Sequence, residues 1–247
     1  MNGQDIISHL RESMLDDVNR PYLWADTELL RLANYSEVQA CRRAHLIIDS
    51  TTDNDNGTAA TAGTAGQKPL CELTIVANQA VYNLSSKILQ VKRCQLKSMT
   101  YPLTGPVLYP ALDEQMSGWW GTSGTVGTAG SGGNPTFFLN EPGNTITFVL
   151  APSVSDTAYL VVSRLPLTPF TLETSPEIDE QYHIGLCDWA AHLAYMKPDS
   201  ESLNLNLAKV YEDRFTGQFG SLPDARTEKL RKTISQRQRF RPRTFGS

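Results

Sequence analysis

No stretch of this chain is long and apolar enough to span a bilayer as a helix. The longest apolar runs, such as residues 158–162, fall far short of the roughly 20 residues such a helix needs. No basic flank precedes an apolar segment near Met1, so no secretory leader is expected. Cysteine is scarce: Cys41, Cys71, Cys94 and Cys187 include no C-x-x-C pair. They read as buried free thiols of a reducing compartment rather than as a disulfide framework. Zinc motifs are missing, and Asp53, Asn54, Asp55 and Asn56 lack the bidentate acid that closes a calcium loop. The glycines contain no phosphate-binding loop, dinucleotide fingerprint or nucleophile elbow. His183 and Cys187 are four residues apart, as are Asp188 and His192. Each pair shares a helical face. Nucleophilic catalysis needs a third, orienting group, and none is in sight, so both pairs read as a polar helix face. His9 and His45 are isolated. The expectation is a protein without catalytic residues, metal or cofactor.

Charge is sparse too, at 19%, but unevenly spread. Residues 226–247 hold Arg226, Lys229, Arg231, Lys232, Arg237, Arg239, Arg241 and Arg243 against Glu228 alone, a net +7. The whole chain is −4, so the first 225 residues carry −11. An acidic body with a basic end, into which Phe240, Pro242 and Phe245 are set, points to attachment through that end. Three partners fit: solvent alone, nucleic acid through phosphate neutralisation, or an acidic crevice on a protein. A body of −11 repels phosphates, which argues against the whole molecule binding DNA.

The periodicity predicts helices at both ends of the chain. Ile7, Leu10, Met14 and Val18 recur at helical spacing until Pro21. A second helix is predicted to start at Asp26 as its cap, with Leu30, Val38, Cys41, His45 and Ile48 on one side as far as about Asp49. A third is predicted to open at Ser175-Pro176-Glu177 and to carry Ile178, Tyr182, Leu186, Trp189, Leu193 and Met196. Its Gly185, Ala190, Ala191 and Ala194 permit close helix approach. The fourth carries Leu203, Leu207, Tyr211, Phe215 and Phe219, and Gly220 and Pro223 end it. The expected helical core is therefore Leu30, Val38, Ile178, Tyr182, Leu186, Trp189, Leu193, Leu207, Tyr211 and Phe215.

Between the helices the pattern switches to short strands at residues 71–76, 80–84, 89–97, 136–139, 145–150 and 158–165. The last two are expected to pair antiparallel across the turn at 152–156. Residues 51–66 consist of Thr, Asp, Asn, Ala and Gly and read as a mobile loop. Residues 121–133, directly after Trp119-Trp120, read as a long hairpin or loop tip. The two tryptophans are either sheet core or an anchor for the loop, or else a contact surface for a neighbouring subunit or a sugar. The fold class is thus α+β: a helical bundle of two N-terminal and two C-terminal helices, interrupted by an antiparallel β domain, with an extended basic C-terminal arm. Its expected segments are 1–68, 69–166, 167–225 and 226–247.

Several motifs in fixed order carry a resemblance across most of the chain. They begin with Trp24-Ala25-Asp26-Thr27-Glu28-Leu29-Leu30-Arg31-Leu32-Ala33-Asn34, Val81-Tyr82-Asn83-Leu84, Trp119-Trp120 and Asn134-Pro135-Thr136-Phe137-Phe138. They continue with Ile146-Thr147-Phe148-Val149-Leu150-Ala151-Pro152, residues 159–166, Pro176-Glu177-Ile178-Asp179-Glu180-Gln181-Tyr182-His183, residues 189–196, and Tyr211-Glu212-Asp213-Arg214-Phe215. Together they resemble the head-to-tail adaptor proteins of tailed bacteriophages, the short-tailed ones especially. The resemblance implies a non-enzymatic virion protein, assembled in the host cytoplasm, with no membrane partner. It implies a ring, commonly of twelve copies, under the portal, with genomic DNA passing through it without specific binding. The helices would form the ring body, and the β domain with Trp119 and Trp120 would face the tail tube or nozzle. The C-terminal arm would clasp the portal through Arg226, Lys229, Arg231, Lys232, Arg237, Arg239, Phe240, Arg241, Arg243 and Phe245. The alternatives are a nucleic-acid-binding accessory protein acting through the basic end and a carbohydrate-binding tail component.

Overall fold

The structure, a computed structural model, describes residues 1–50, 70–116, 118–120, 134–141, 144–198 and 203–233. In chain order the elements are α1 (Gly3–Leu10), α2 (Asp26–Ala44), β1 (Ile47–Asp49), β2 (Glu72–Ile75), β3 (Val81–Asn83) and β4 (Ile88–Leu96). Then follow α3 (Tyr109–Gln115), β5 (Phe137–Glu141), β6 (Thr145–Val149), β7 (Asp156–Arg164), α4 (His183–Tyr195), α5 (Leu205–Phe219) and α6 (Ala225–Thr233). The chain is α+β, with helices at both ends around antiparallel sheets. It divides into two compact units. Residues 1–49 and 163–223 form a helical unit, and 70–162 with 224–233 form a β unit. The runs 51–66 and 121–133 lie outside the described residues, as does everything after Thr233.

In the helical unit, α1 opens on a capping box. Asp5 N–H donates to Asn2 Oδ1 and Asn2 N–H to Asp5 Oδ2, both at 2.9 Å, which satisfies two end amides at once. The helix continues as a π-helical turn, Arg11–Leu15, and stops at Asp16 in the left-handed conformation. α4 packs against α1, α2 and α5. Its Gly185, Ala190, Ala191 and Ala194 are buried, so neighbouring helices can approach its backbone closely. Ile6, Ile7, Leu10, Leu29, Ala33, Cys187 and Ala190 fill one cluster; Ala40, Cys41, Ile178, Leu186, Phe215 and Phe219 fill another.

Four expectations need correction here. Asp26 does not cap α2. The cap position is Ala25, which has no capping side chain, and the Asp26 carboxylate is drawn off to Arg11 at 2.6 Å. α2 ends at Ala44 rather than near Asp49, because His45 turns left-handed (φ 52°), and Ile48 becomes an exposed strand residue. The third helix does not start at Ser175-Pro176-Glu177. The amides of Glu177 and Ile178 donate instead to Glu37 Oε1 on α2, at 2.6 and 3.3 Å, and helix begins only with a 3-10 turn at Glu180–Tyr182. Leu207, expected in the core, is exposed, and Ala208 takes the buried place beside Tyr211 and Phe215.

The β unit holds two sheets. β2 pairs with β7 antiparallel, Glu72 opposite Tyr159, and β4 also pairs with β7. The other sheet has the order β3-β6-β5, with Val81 opposite Thr147 and Phe138 opposite Phe148. The six strand segments read from the sequence all form, but the expected β6–β7 hairpin does not. The connecting residues are tied elsewhere: Asn78 N–H donates to Pro152 O at 2.7 Å and Ala77 N–H to Ser155 Oγ at 3.2 Å. The chain is thereby led from one sheet into the other. Two helices went unforeseen. α3 packs Leu112 with Leu139 and Val149, and α6 lies against β4 and β5. The basic segment thus starts as a helix of the β unit rather than as an extended arm. Asp224 opens α6 by accepting from Thr227 N–H at 2.5 Å, a bond that holds its carboxyl below the usual range.

Candidate interaction surfaces

The two neighbouring tryptophans part company in the fold. Trp119 is buried beside Leu112, Leu139 and Val149; it stacks on Tyr109 at 5.8 Å and donates its Nε1–H to Asp113 Oδ1 at 2.8 Å. Every part of this side chain is occupied, so it anchors the segment. Trp120 meets Trp119 edge-on at 4.9 Å and stands 50% exposed. Trp119 is thus core, and Trp120 is an exposed indole beside it. An indole of that exposure on a rigid neighbour is a good anchor for a partner, because little side-chain entropy is lost on docking.

Of the basic C-terminal residues, Arg226 and Lys229 stand exposed on α6, as does Leu230 at 49%. Arg231 and Lys232 lie on the same helix. Arg237, Arg239, Phe240, Arg241, Arg243 and Phe245 lie outside the described residues. The outward face of α6 therefore joins positive charge to an exposed leucine.

The expected helical core is only partly assembled as one group. Ile178, Leu186 and Phe215 are buried together, with Tyr182 and Trp189 packed against them. Tyr211 belongs to the other cluster, against which Leu30 packs. Val38 and Leu193 are half-buried. The histidines are all engaged: His183 Nε2 lies 3.0 Å from Ile178 O, His192 Nδ1 2.9 Å from Ala208 O, His45 Nδ1 2.7 Å from Ser163 Oγ, and His9 Nδ1 3.3 Å from Ser13 Oγ. The Cys187 thiol reaches only the carbonyl of His183, and burial pushes it up to about 12. All four cysteines are buried, and none is in a disulfide. The side chains of His183, Cys187 and His192 thus each lie within reach of a backbone carbonyl.

Two buried ionic networks went unread in the sequence. Arg11 bonds Asp17 and donates to Trp24 O and Asp26 Oδ1, both at 2.6 Å, which pins the segment between α1 and α2. Arg164 donates to Asp49 Oδ2 at 2.5 Å and to Glu177 Oε1 at 2.6 Å. Burial opposes its charge, but the hydrogen bonds to Glu177 and Asp49 outweigh that and raise its pKa. Next to this pair, burial lifts Glu37 to about 7 against the backbone donors of Glu177 and Ile178. A hint was present: Glu37 lies on the apolar side of α2, next to Ala33, Ala40 and Cys41.

Among the described residues no group of histidine, cysteine or acid side chains could hold a metal, and no helix is long and apolar enough to cross a membrane. A family model described as SU10 adaptor protein matches residues 1–242. The chain belongs to that family, a family of phage adaptor proteins. No curated protein matches the chain.

Proposed function

We propose that this adaptor sits at the head-to-tail junction of a phage particle, as a ring between the portal and the tail tube or nozzle. The adaptor family is a structural one and not a class of enzymes, so the work of the chain is assembly. The observation that carries the reading is the match over 1–242, which takes in the helical unit, the β unit and nearly all of the basic end. The basic end suits an acidic crevice on the portal, with Arg226 and Lys229 leading in from α6 and Phe240 and Phe245 adding apolar anchors. Trp120 offers the β unit a contact for the tail protein. A body of −11 suits a ring, commonly of twelve, around a channel through which DNA slides, because like charge discourages sticking.

The test is co-sedimentation with the portal ring of the same virus. Three chains are compared: full length, one ending at Thr233, and one ending at Ala225. The expected result is that only the full-length chain pellets with the ring. Pelleting of all three would move the portal contact off the basic end. Pelleting of none, together with retention of full-length chain on duplex DNA, would replace the adaptor reading with that of a nucleic-acid-binding protein.

A further inference from the structure

The β unit brings together positive charge that the sequence spreads over two distant segments. Residues 87–97, which are β4 with one residue on either side, hold four cations and no acid. α6, which lies against β4 and β5, holds four cations and one acid, Glu228. β4 runs between β7 on one side and the stretch after it on the other: Lys97 N–H donates to Thr157 O and Leu103 N–H to Cys94 O, both at 2.8 Å. Neither neighbour sets acids against the middle of β4. β7 has Asp156 alone, at its end beside Lys97, and residues 98–112 carry no charge. The remaining acids of adjoining elements are Asp224 ahead of α6, Glu141 at the end of β5, and Asp113 and Glu114 on α3, where Asp113 is held by Trp119 Nε1–H. Residues 87–98 and 224–233 together carry +6, or +4 with Asp156 and Glu141 included. The helical unit, residues 1–49 and 163–223, carries −8. The acidity of the body is thus concentrated in the helical unit, and the β unit has a basic face.

We infer that this face of the β unit binds the phosphate backbone of duplex DNA, through Lys92 and Arg93 on β4 and Arg226 on α6. All three side chains are exposed. Arg93 Nη2 donates to Gln95 Oε1 at 2.8 Å, a neutral partner that orients the guanidinium and leaves its charge in place. A guanidinium so held presents paired donors to phosphate oxygens. The make-up of the face selects DNA over a protein. Among the described residues β4 exposes no large apolar side chain and α6 exposes only Leu230. Protein interfaces are anchored by aromatic and aliphatic side chains, whereas nucleic-acid interfaces are polar and strongly positive. Contacts to phosphate are independent of sequence and let DNA move along the surface. The helical unit at −8 repels the same phosphates, which confines the contact to the β unit. The inference goes beyond the place proposed between portal and tail and holds whether or not the chain docks on a portal.

The test is fluorescence anisotropy of labelled duplex DNA of mixed sequence, titrated with the full chain at salt from about 0.05 to 0.2 M. Lys92→Glu with Arg93→Glu is compared with the wild type and with Arg31→Glu plus Lys209→Glu, which makes the same change of net charge at exposed positions of the helical unit. Lys92→Gln with Arg93→Gln is the milder pair. Each variant enters the comparison once its far-UV spectrum and thermal midpoint match the wild type, and the glutamine pair carries the test if the glutamate pair does not fold. The expected result is that the wild type binds, that reversal on β4 weakens binding at least about tenfold and lowers the salt slope by about two, and that the glutamine pair falls between. Reversal on the helical unit should change affinity by less than about threefold, since those charges lie off the contact. Equal effects of the two reversed pairs overturn the inference and assign DNA binding to the basic end alone. Wild-type chain that binds no DNA at the lowest salt overturns it too. If that chain still sediments with the portal ring, and the β4 pair alone abolishes this, the face belongs to an acidic protein partner and the adaptor reading stands.

Discussion

Single side chains decide more here than their exposure implies. Glu37 has a native pKa of about 7, above its ordinary 4.5, chiefly through burial. The folded state therefore holds this proton more tightly than the unfolded chain does. Its contribution to stability is full below 4.5, falls as pH rises towards 7, and is level above that. Glu37→Gln keeps an oxygen for the Glu177 and Ile178 amides but cannot ionise. Relative to the wild type, the variant should gain on the order of 3 kcal/mol between pH 4.5 and 8, read from urea unfolding at both values. Parallel pH profiles for the two proteins would refute the assignment. Glu37→Ala is a different case, since it leaves both buried amides unpaired at roughly 1–3 kcal/mol each. The tryptophans also separate at this scale. Trp119→Ala should cost about 3–5 kcal/mol. Trp120→Ala should cost less than about 1 kcal/mol in stability while weakening attachment of the tail protein. Equal losses of stability from the two would contradict the buried and exposed roles.

At the scale of the element, the α4–α5 contact rests on a missing side chain. A Cβ on Gly185 would lie 2.0 Å from Gln218 Oε1 and 2.9 Å from Phe219 Cε2. The glutamine can swing aside, but the Phe219 ring, packed against Phe215 and Tyr182, has little room to do so. Gly185→Ala should therefore destabilise by about 1–3 kcal/mol despite its gain in helix propensity. A thermal midpoint equal to or above that of the wild type would show that the helices move apart freely. The four long helical segments and six strands were visible in the sequence, because each carries its own periodicity over several residues. α3 was not, since Tyr109-Pro110 and a single buried residue, Leu112, give no repeat to read. α6 was hidden by its charge: with Leu230 as its one large apolar residue, it reads as a solvated arm. Its place against β4 and β5 comes from the β unit rather than from its own pattern.

At the scale of the molecule, the chain divides into two compact units, and the helical one is built from residues 1–49 and 163–223, which are far apart in the sequence. That arrangement makes the truncation point matter. A chain ending at Thr233 retains α6, whereas one ending at Ala225 removes a helix that packs on the β unit. The first should match the full-length chain in thermal midpoint and lose portal docking; the second should lose docking and some stability of the β unit as well. Docking by the full-length chain should weaken as salt rises from about 0.05 to 0.5 M, because screening would act on the contact proposed for the arginine-rich end. Salt-independent docking would assign the contact to apolar surface instead. The acidic body with its basic end, the order of helices and strands, and the separation of apolar from polar faces were all determined by the sequence. These are properties of composition and of near neighbours along the chain. Partner choice was decided by the tertiary structure: β6 joins β3 and β5 rather than β7, Asp26 turns to Arg11 rather than capping α2, and Glu37 takes the amides of Glu177 and Ile178. Each of these is a competition between a local partner and one far along the chain. Such a competition is settled by which groups the packing brings within hydrogen-bond reach, and spacing along the sequence carries no record of that distance.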